Sequence, residues 1–136
     1  MASIRVDSAA VEWSPGRRFF GEHAIHDGSE LVQVKVLCDR RGEGGGIAML
    51  MKFMPPPGKV IKIIAVARSD EHAFTLTGER STKAGQPLNA PVDYVLNTEG
   101  QPHSAFIASE LTAFVFYTGE PDDITAMEVV DVEARA

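Results

Sequence analysis

Apolar and polar residues alternate along much of this chain in short runs. In Leu31-Val32-Gln33-Val34-Lys35-Val36-Leu37 the valines fall on one side, and Gln33 and Lys35 fall on the other. Only an extended strand puts residues i, i+2 and i+4 on one face. Comparable runs span Ile47 to Phe53, Lys59 to Val66, His72 to Thr77, Asp93 to Leu96, His103 to Ile107, Leu111 to Tyr117 and Met127 to Val132. The pattern therefore predicts about eight strands. No segment carries a helical stripe. Asp122 to Val130 holds residues a helix would accept, but Val129-Val130-Asp131-Val132 suits a closing strand better.

The 12 glycines and 8 prolines punctuate these runs. Gly42 to Gly46 reads as a loop, because glycine tolerates nearly any backbone angle. Pro55-Pro56-Pro57-Gly58 cannot donate ladder hydrogen bonds at three positions and reads as a stiff turn. Gly78-Glu79 and Ala84-Gly85-Gln86-Pro87 follow the same logic. Many short strands in 136 residues predict one all-β domain, a sandwich or barrel, since an open sheet would leave its edges exposed. Residues 1–30 hold few strand signals and are expected to form an N-terminal arm ahead of a barrel at 31–136. Trp13, Phe19 and Phe20 in that arm need cover. The arm either wraps the barrel or adds an edge strand in a homodimer.

Charge narrows the partners. Acidic residues outnumber basic ones 19 to 13, for a net charge of −6. A nucleic-acid partner is not expected, because phosphate binding needs a concentrated basic surface. The densest basic cluster is Arg40-Arg41. Cys38 is the lone cysteine, which excludes an internal disulfide and points to the cytoplasm. Ile47 to Met51 is the longest apolar run, far short of a membrane span. Met1 to Asp7 lacks the apolar centre of a signal peptide.

The middle of the chain, roughly Val34 to Gly119, resembles the cupin superfamily of double-sheet jelly-roll barrels. The first cupin motif runs Gly, five residues, His-x-His, three or four residues, Glu, six residues, Gly. Here its frame is met by Gly58, Glu71 and Gly78, with Ile64 and Val66 at the histidine places. The second motif is matched by Val92-Asp93-Tyr94 and by Thr98-Glu99-Gly100-Gln101-Pro102-His103, where Thr98 replaces the usual proline. Within cupins, His72-Ala73-Phe74-Thr75-Leu76-Thr77-Gly78 is similar to a stretch of the acetylacetone-cleaving and dihydroxyacetophenone dioxygenases. In that group's register the paired histidines would fall on Ala65 and Ala67. Neither register holds a histidine.

The resemblance implies an iron site of three histidines, with or without a glutamate. Such a site needs at least three firm ligands and open positions. Only His103 and Glu71 remain here, so no cofactor is expected. The alternative is a divalent iron, zinc or nickel held by His103, Glu71 and His72, or completed by His23 or His26 from the arm. Because Glu71 and His72 are adjacent, a regular strand turns only one of them inward. His103 and Glu71 are the catalytic candidates, as a carboxylate that orients an imidazole suits proton transfer. Each also has a plain structural alternative, a hydrogen-bonded barrel histidine or a surface carboxylate. Ile64 and Val66 are expected to floor a pocket, with Lys62, His72 and Tyr94 as further ligand contacts. Lys62 on that strand can equally snorkel to water.

Three functions remain open. The chain binds a small, largely apolar carbonyl or aromatic ligand, with or without metal-independent acid–base chemistry. It is a metal-dependent dioxygenase-like enzyme with a rearranged ligand set. Or it is a non-enzymatic dimeric binding or sensing module. The sequence leaves open whether the chain is an enzyme.

Overall fold

The computed structural model describes residues 3–132. Residues 1–2 and 133–136, the ends of the expected arm and barrel, lie outside the described residues. In chain order the elements are β1 (Ser14–Pro15), a short helix α1 (Arg17–Phe20), β2 (Ile25–His26), β3 (Ser29–Glu30), β4 (Val32–Arg40), β5 (Gly46–Phe53), β6 (Lys59–Val66), β7 (Glu71–Thr77), β8 (Tyr94–Asn97), β9 (Pro102–Ile107), β10 (Leu111–Tyr117) and β11 (Asp123–Asp131). Each run of alternating residues in the sequence overlaps one of the strands β4 to β11.

Two antiparallel sheets face each other. The larger has the order β1-β4-β5-β10-β7-β8 and the smaller the order β11-β6-β9. β10 lies between β5 and β7, far from both in sequence, as a jelly roll requires. The inner faces carry the alternating apolar sets: Val32 and Val34, Met49 and Met51, Ile61 and Ile63, and Ala113 and Val115 are all buried. Burying each of the larger aliphatic side chains contributes about 1.5–3 kcal/mol. β4 slips register between Val36 and Cys38, and β11 between Ile124 and Ala126. Each slip re-aims the residues that follow it.

Two glycines allow close approaches. Gly46 opens β5 with φ +74°, and a Cβ there would lie 2.2 Å from the Tyr117 carbonyl oxygen. Gly78 ends β7 with φ +83°, and a Cβ would lie 2.4 Å from the Glu110 carbonyl oxygen. Only glycine fits either place. Both ends of β10 are thereby fixed against their neighbours.

The arm lies on its own barrel. β1 pairs with β4, and Phe20 and Ala24 enter the core. The Nζ atoms of Lys35 and Lys52 sit 4.9 and 4.5 Å from the Trp13 ring centre. Arg18 and Arg41 cover Phe19 in the same way. The cover these aromatics need thus comes from the same chain. β2 and β3 form a hairpin across Asp27-Gly28, whose φ values are +49° and +77°. Asp-Gly suits such a turn, because both central residues need positive φ.

Candidate functional site inside the barrel

A cavity of about 140 Å³ lies between the two sheets. An apolar cavity of roughly 150 Å³ accepts a benzene ring. Most of the wall is apolar and includes Phe20, Met51, Ile63, Val95, Leu111 and Met127. At one end the wall becomes polar, with Glu71, Arg80, Asn97, His103, Tyr117 and Asp122.

Strand alternation sets each of these side chains. On β7, Glu71, Ala73 and Thr75 are buried, while Phe74 and Leu76 are exposed. Glu71 therefore looks inward. Its Oε1 accepts a hydrogen bond of 2.7 Å from Asn97 Nδ2 on β8. The wholly buried Tyr117 hydroxyl, on β10, donates toward the same carboxylate. His103 points inward from β9, with Nε2 3.9 Å from Glu71 Oε1 and 2.8 Å from Asp122 Oδ2.

Asp122 arrives from the turn before β11, and that turn is braced from outside. Ser69 Oγ donates to the Glu120 carbonyl at 2.8 Å. Arg41 Nη1 reaches Glu120 Oε2 at 3.1 Å. Asp70 and Thr118 exchange two further hydrogen bonds. Arg41 is itself held by Asp39, whose carboxyl it lowers to a pKa of about 2. The Asp122 side chain is 3% exposed.

The electrostatics follow from this burial. The adjacent Asp122 carboxylate holds the His103 pKa above the ordinary imidazole value, against burial and the positive Arg80. Burial, then the negative Asp122, push the Glu71 carboxyl above its usual range, while Asn97 and His103 pull it back. Burial also raises the Tyr117 phenol, which stays protonated. Two atoms in the cluster, Asp122 Oδ1 and His103 Nε2, have no hydrogen-bond partner among the described residues. The 2.8 Å approach of His103 to Asp122 is thus a charge contact whose N–H is not aligned on the oxygen.

No family model matches the sequence. No curated protein matches it. Solved structures do match the backbone. A protein of unknown function with a cupin-like fold from Ralstonia eutropha JMP134 superposes with a TM-score of 0.58 at 14% identity, over 96% of this chain and 78% of that one. The polyketide cyclase RemF from Streptomyces resistomycificus gives 0.55 at 14% identity, over 99% and 88%. DMSP lyase DddQ from Ruegeria pomeroyi DSS-3 gives 0.53 at 17% identity, over 93% and 64%. The chain has a cupin-like fold. At these identities the likeness extends to the fold alone.

Within this barrel, the candidates that the sequence pointed to separate cleanly. His103 and Glu71 meet at the polar end of the cavity. Ile64, Val66 and Lys62 do not: β6 buries Ile63 and Ala65 and turns those three to its outer face. Lys62 and Ile64 there border a shallow hollow with Phe106. The inward positions are Ala65 and Ala67, which are 0% and 2% exposed. A shift of one residue exchanges the two faces of a strand, so the first register placed the pocket floor on the wrong side. His72 and Tyr94 lie on the outer face of the larger sheet, where His72 Nδ1 and the Tyr94 hydroxyl are 2.7 Å apart. His72 is therefore not positioned as a third ligand beside Glu71 and His103, and Asp122 stands there instead. His23 is exposed, and His26 faces Asp27 in the arm hairpin. Among the described residues, no helix is long and apolar enough to cross a membrane.

Proposed function

We propose that the barrel binds a small, largely apolar carbonyl compound, about one ring in size, and moves protons on it. His103 is the acid and Glu71 the base. The observation that supports this is a buried imidazole–carboxylate cluster at one end of an otherwise apolar cavity. Asp122 raises the His103 pKa and so favours the cationic form that can donate. Burial makes Glu71 a stronger base than a free carboxylate.

The step is an enolisation. Glu71 removes a proton from the carbon beside the carbonyl. The C–H electrons form the new C=C bond, and the carbonyl oxygen takes a proton from His103. Return of the proton to the α-carbon exchanges it, and in a β,γ-unsaturated ligand its delivery to the γ-carbon of the dienol, with the O–H proton returning to His103, shifts the double bond. The apolar wall excludes water, which strengthens each electrostatic contact inside. One fold neighbour is named a polyketide cyclase. It lends this chain a fold and not a substrate.

The test is deuterium exchange at the α-carbon of small ketones such as cyclohexanone and acetophenone, followed by NMR. We expect exchange by the native protein and a loss of roughly a hundredfold or more in His103→Ala and Glu71→Gln. No exchange and no binding with any ketone removes the proposal.

A second reading rests on a separate observation. Glu71, His103 and Asp122 each bring a ligand atom within 4.8 Å of the others. Two of those side chains also carry unpartnered buried atoms. One imidazole and two carboxylates suit a divalent first-row ion. Such an ion would polarise a carbonyl oxygen. The nearby Arg80, with its own positive charge, disfavours it. Elemental analysis of protein purified without chelators decides the matter. Stoichiometric iron, zinc or nickel, lost in Asp122→Asn, would put this reading first.

A further inference from the structure

Arg80 has no role in the proton chemistry above, yet it lines the barrel cavity. It also lines a second pocket of about 220 Å³, formed with Thr75, Gly78, Glu79, Leu88 and Val92. Arg80 is thus common to the lining of both spaces. Its Nε is buried without a hydrogen-bond partner, and so is Thr75 Oγ1. Thr75 is 9% exposed and belongs to the inward set of β7. No carboxylate lies within 4.0 Å of Arg80 among the described residues, although Glu79 and Asp93 border the same pocket. Among the described residues Arg80 thus has no carboxylate at ion-pair distance and a buried Nε without a partner, and Thr75 on the lining of the same pocket has a buried hydroxyl without one.

Buried cations without counter-charges are costly. Guanidinium is also the side chain best matched to a planar carboxylate, since its N–H groups form a fork. We propose that Arg80 and Thr75 form an anion seat, and that the ligand of the barrel is a small carboxylic acid. Its apolar body fills the barrel cavity, and its carboxylate lies against Arg80 with Thr75 donating to it. This deepens the reading of the barrel cavity as a ligand site and rests on it. Glu71 raises the Arg80 pKa and Arg80 depresses that of His103, so the anion seat is within electrostatic reach of the proton-transfer pair.

The probes are benzoate, benzamide and toluene, which share a ring and differ in charge and polarity. Binding is followed by NMR titration of the native protein, then of Arg80→Gln, Arg80→Lys and Thr75→Val. We expect benzoate to bind at least tenfold more tightly than benzamide. Arg80→Gln is expected to erase that preference, and Arg80→Lys to restore part of it. Thr75→Val is expected to weaken benzoate severalfold. Equal binding of benzoate and benzamide overturns the anion seat while toluene binding preserves the cavity reading. Failure of all three probes removes both. The native protein's preference decides the point even if a variant fails to fold.

Discussion

His103 Nε2 lies 2.8 Å from Asp122 Oδ2, although their strands are not neighbours. His103 is on β9, Asp122 just precedes β11, and β6 runs between them. Ala65 of β6 pairs with His103 on one side and, on the other, with Ile124, two residues after Asp122. Flanking strands stand about 9–10 Å apart across the one between them, so a bulky side chain there would block the contact. The small Ala65 lets the imidazole and the carboxylate meet.

Ala65→Leu should therefore separate the pair. We expect a loss of stability of about 1–3 kcal/mol from overpacking. The His103 pKa should fall at the same time. Ile64→Leu, one residue away on the outer face, should cost under about 1 kcal/mol and leave His103 unaffected. Urea unfolding and NMR titration of the imidazole read the two effects. Equal responses from the two variants would reverse the assignment of faces on β6.

Asp122→Asn tests the charge contact directly. The side chain keeps its shape and loses its charge. Asp122 is the main reason that the His103 pKa is raised. In the variant it should fall toward the ordinary imidazole value of about 6.5. An unchanged titration would mean that Glu71 alone sets the charge on His103.

These contacts show where the sequence was legible. The strands were, because alternation over four or more residues has one structural meaning. The choice between Ile64 with Val66 and Ala65 with Ala67 was not, because glycine spacing fixes register only to within a residue and both sets are apolar. Asp122 was hidden for another reason. It sits in a turn, and the slip between Ile124 and Ala126 breaks the alternation that would have marked β11 from its start. Arg80 lies in the loop after β7, where no period applies. The Asp27-Gly28 hairpin carried a signal in its dipeptide, but flanking strands of two residues each are too short to show a pattern.

Stability should fall as pH rises, and the sign can be worked through. The folded Glu71 carboxyl has a pKa above its ordinary 4.5. Above that pH the unfolded chain gives up the proton while the folded chain keeps it. Folding then binds the extra proton, so stability declines until the folded group also ionises. His103 is raised above 6.5, so its contribution is complete below that pH and is lost as pH rises through the folded value. Both groups act in the same direction, Glu71 from pH 4.5 upward and His103 from pH 6.5 upward. Glu71→Gln removes the larger burial cost and should flatten the profile. The variant's stability should change less between pH 5 and pH 9 than that of the native protein. Chemical unfolding between pH 5 and pH 9 checks this, and a native profile that rises with pH would refute the direction of both shifts.

The arm also bears on ligand size, through a single side chain. Phe20 is 7% exposed and belongs to the barrel core, and it forms part of the cavity wall. Phe20→Ala should cost about 3–5 kcal/mol, the usual loss for a buried phenylalanine, and risks unfolding the domain. Phe20→Leu is the gentler variant: it keeps an apolar cover and opens space beside Met51 and Phe53. We expect it to fold, to lose less stability than Phe20→Ala, and to bind a two-ring compound such as naphthalene that the native cavity excludes. Toluene should bind the variant more weakly, because a larger space leaves it fewer contacts. NMR titration of both compounds into both proteins separates the effects. An arm that merely covers the barrel would change stability in Phe20→Leu without changing which ring is preferred.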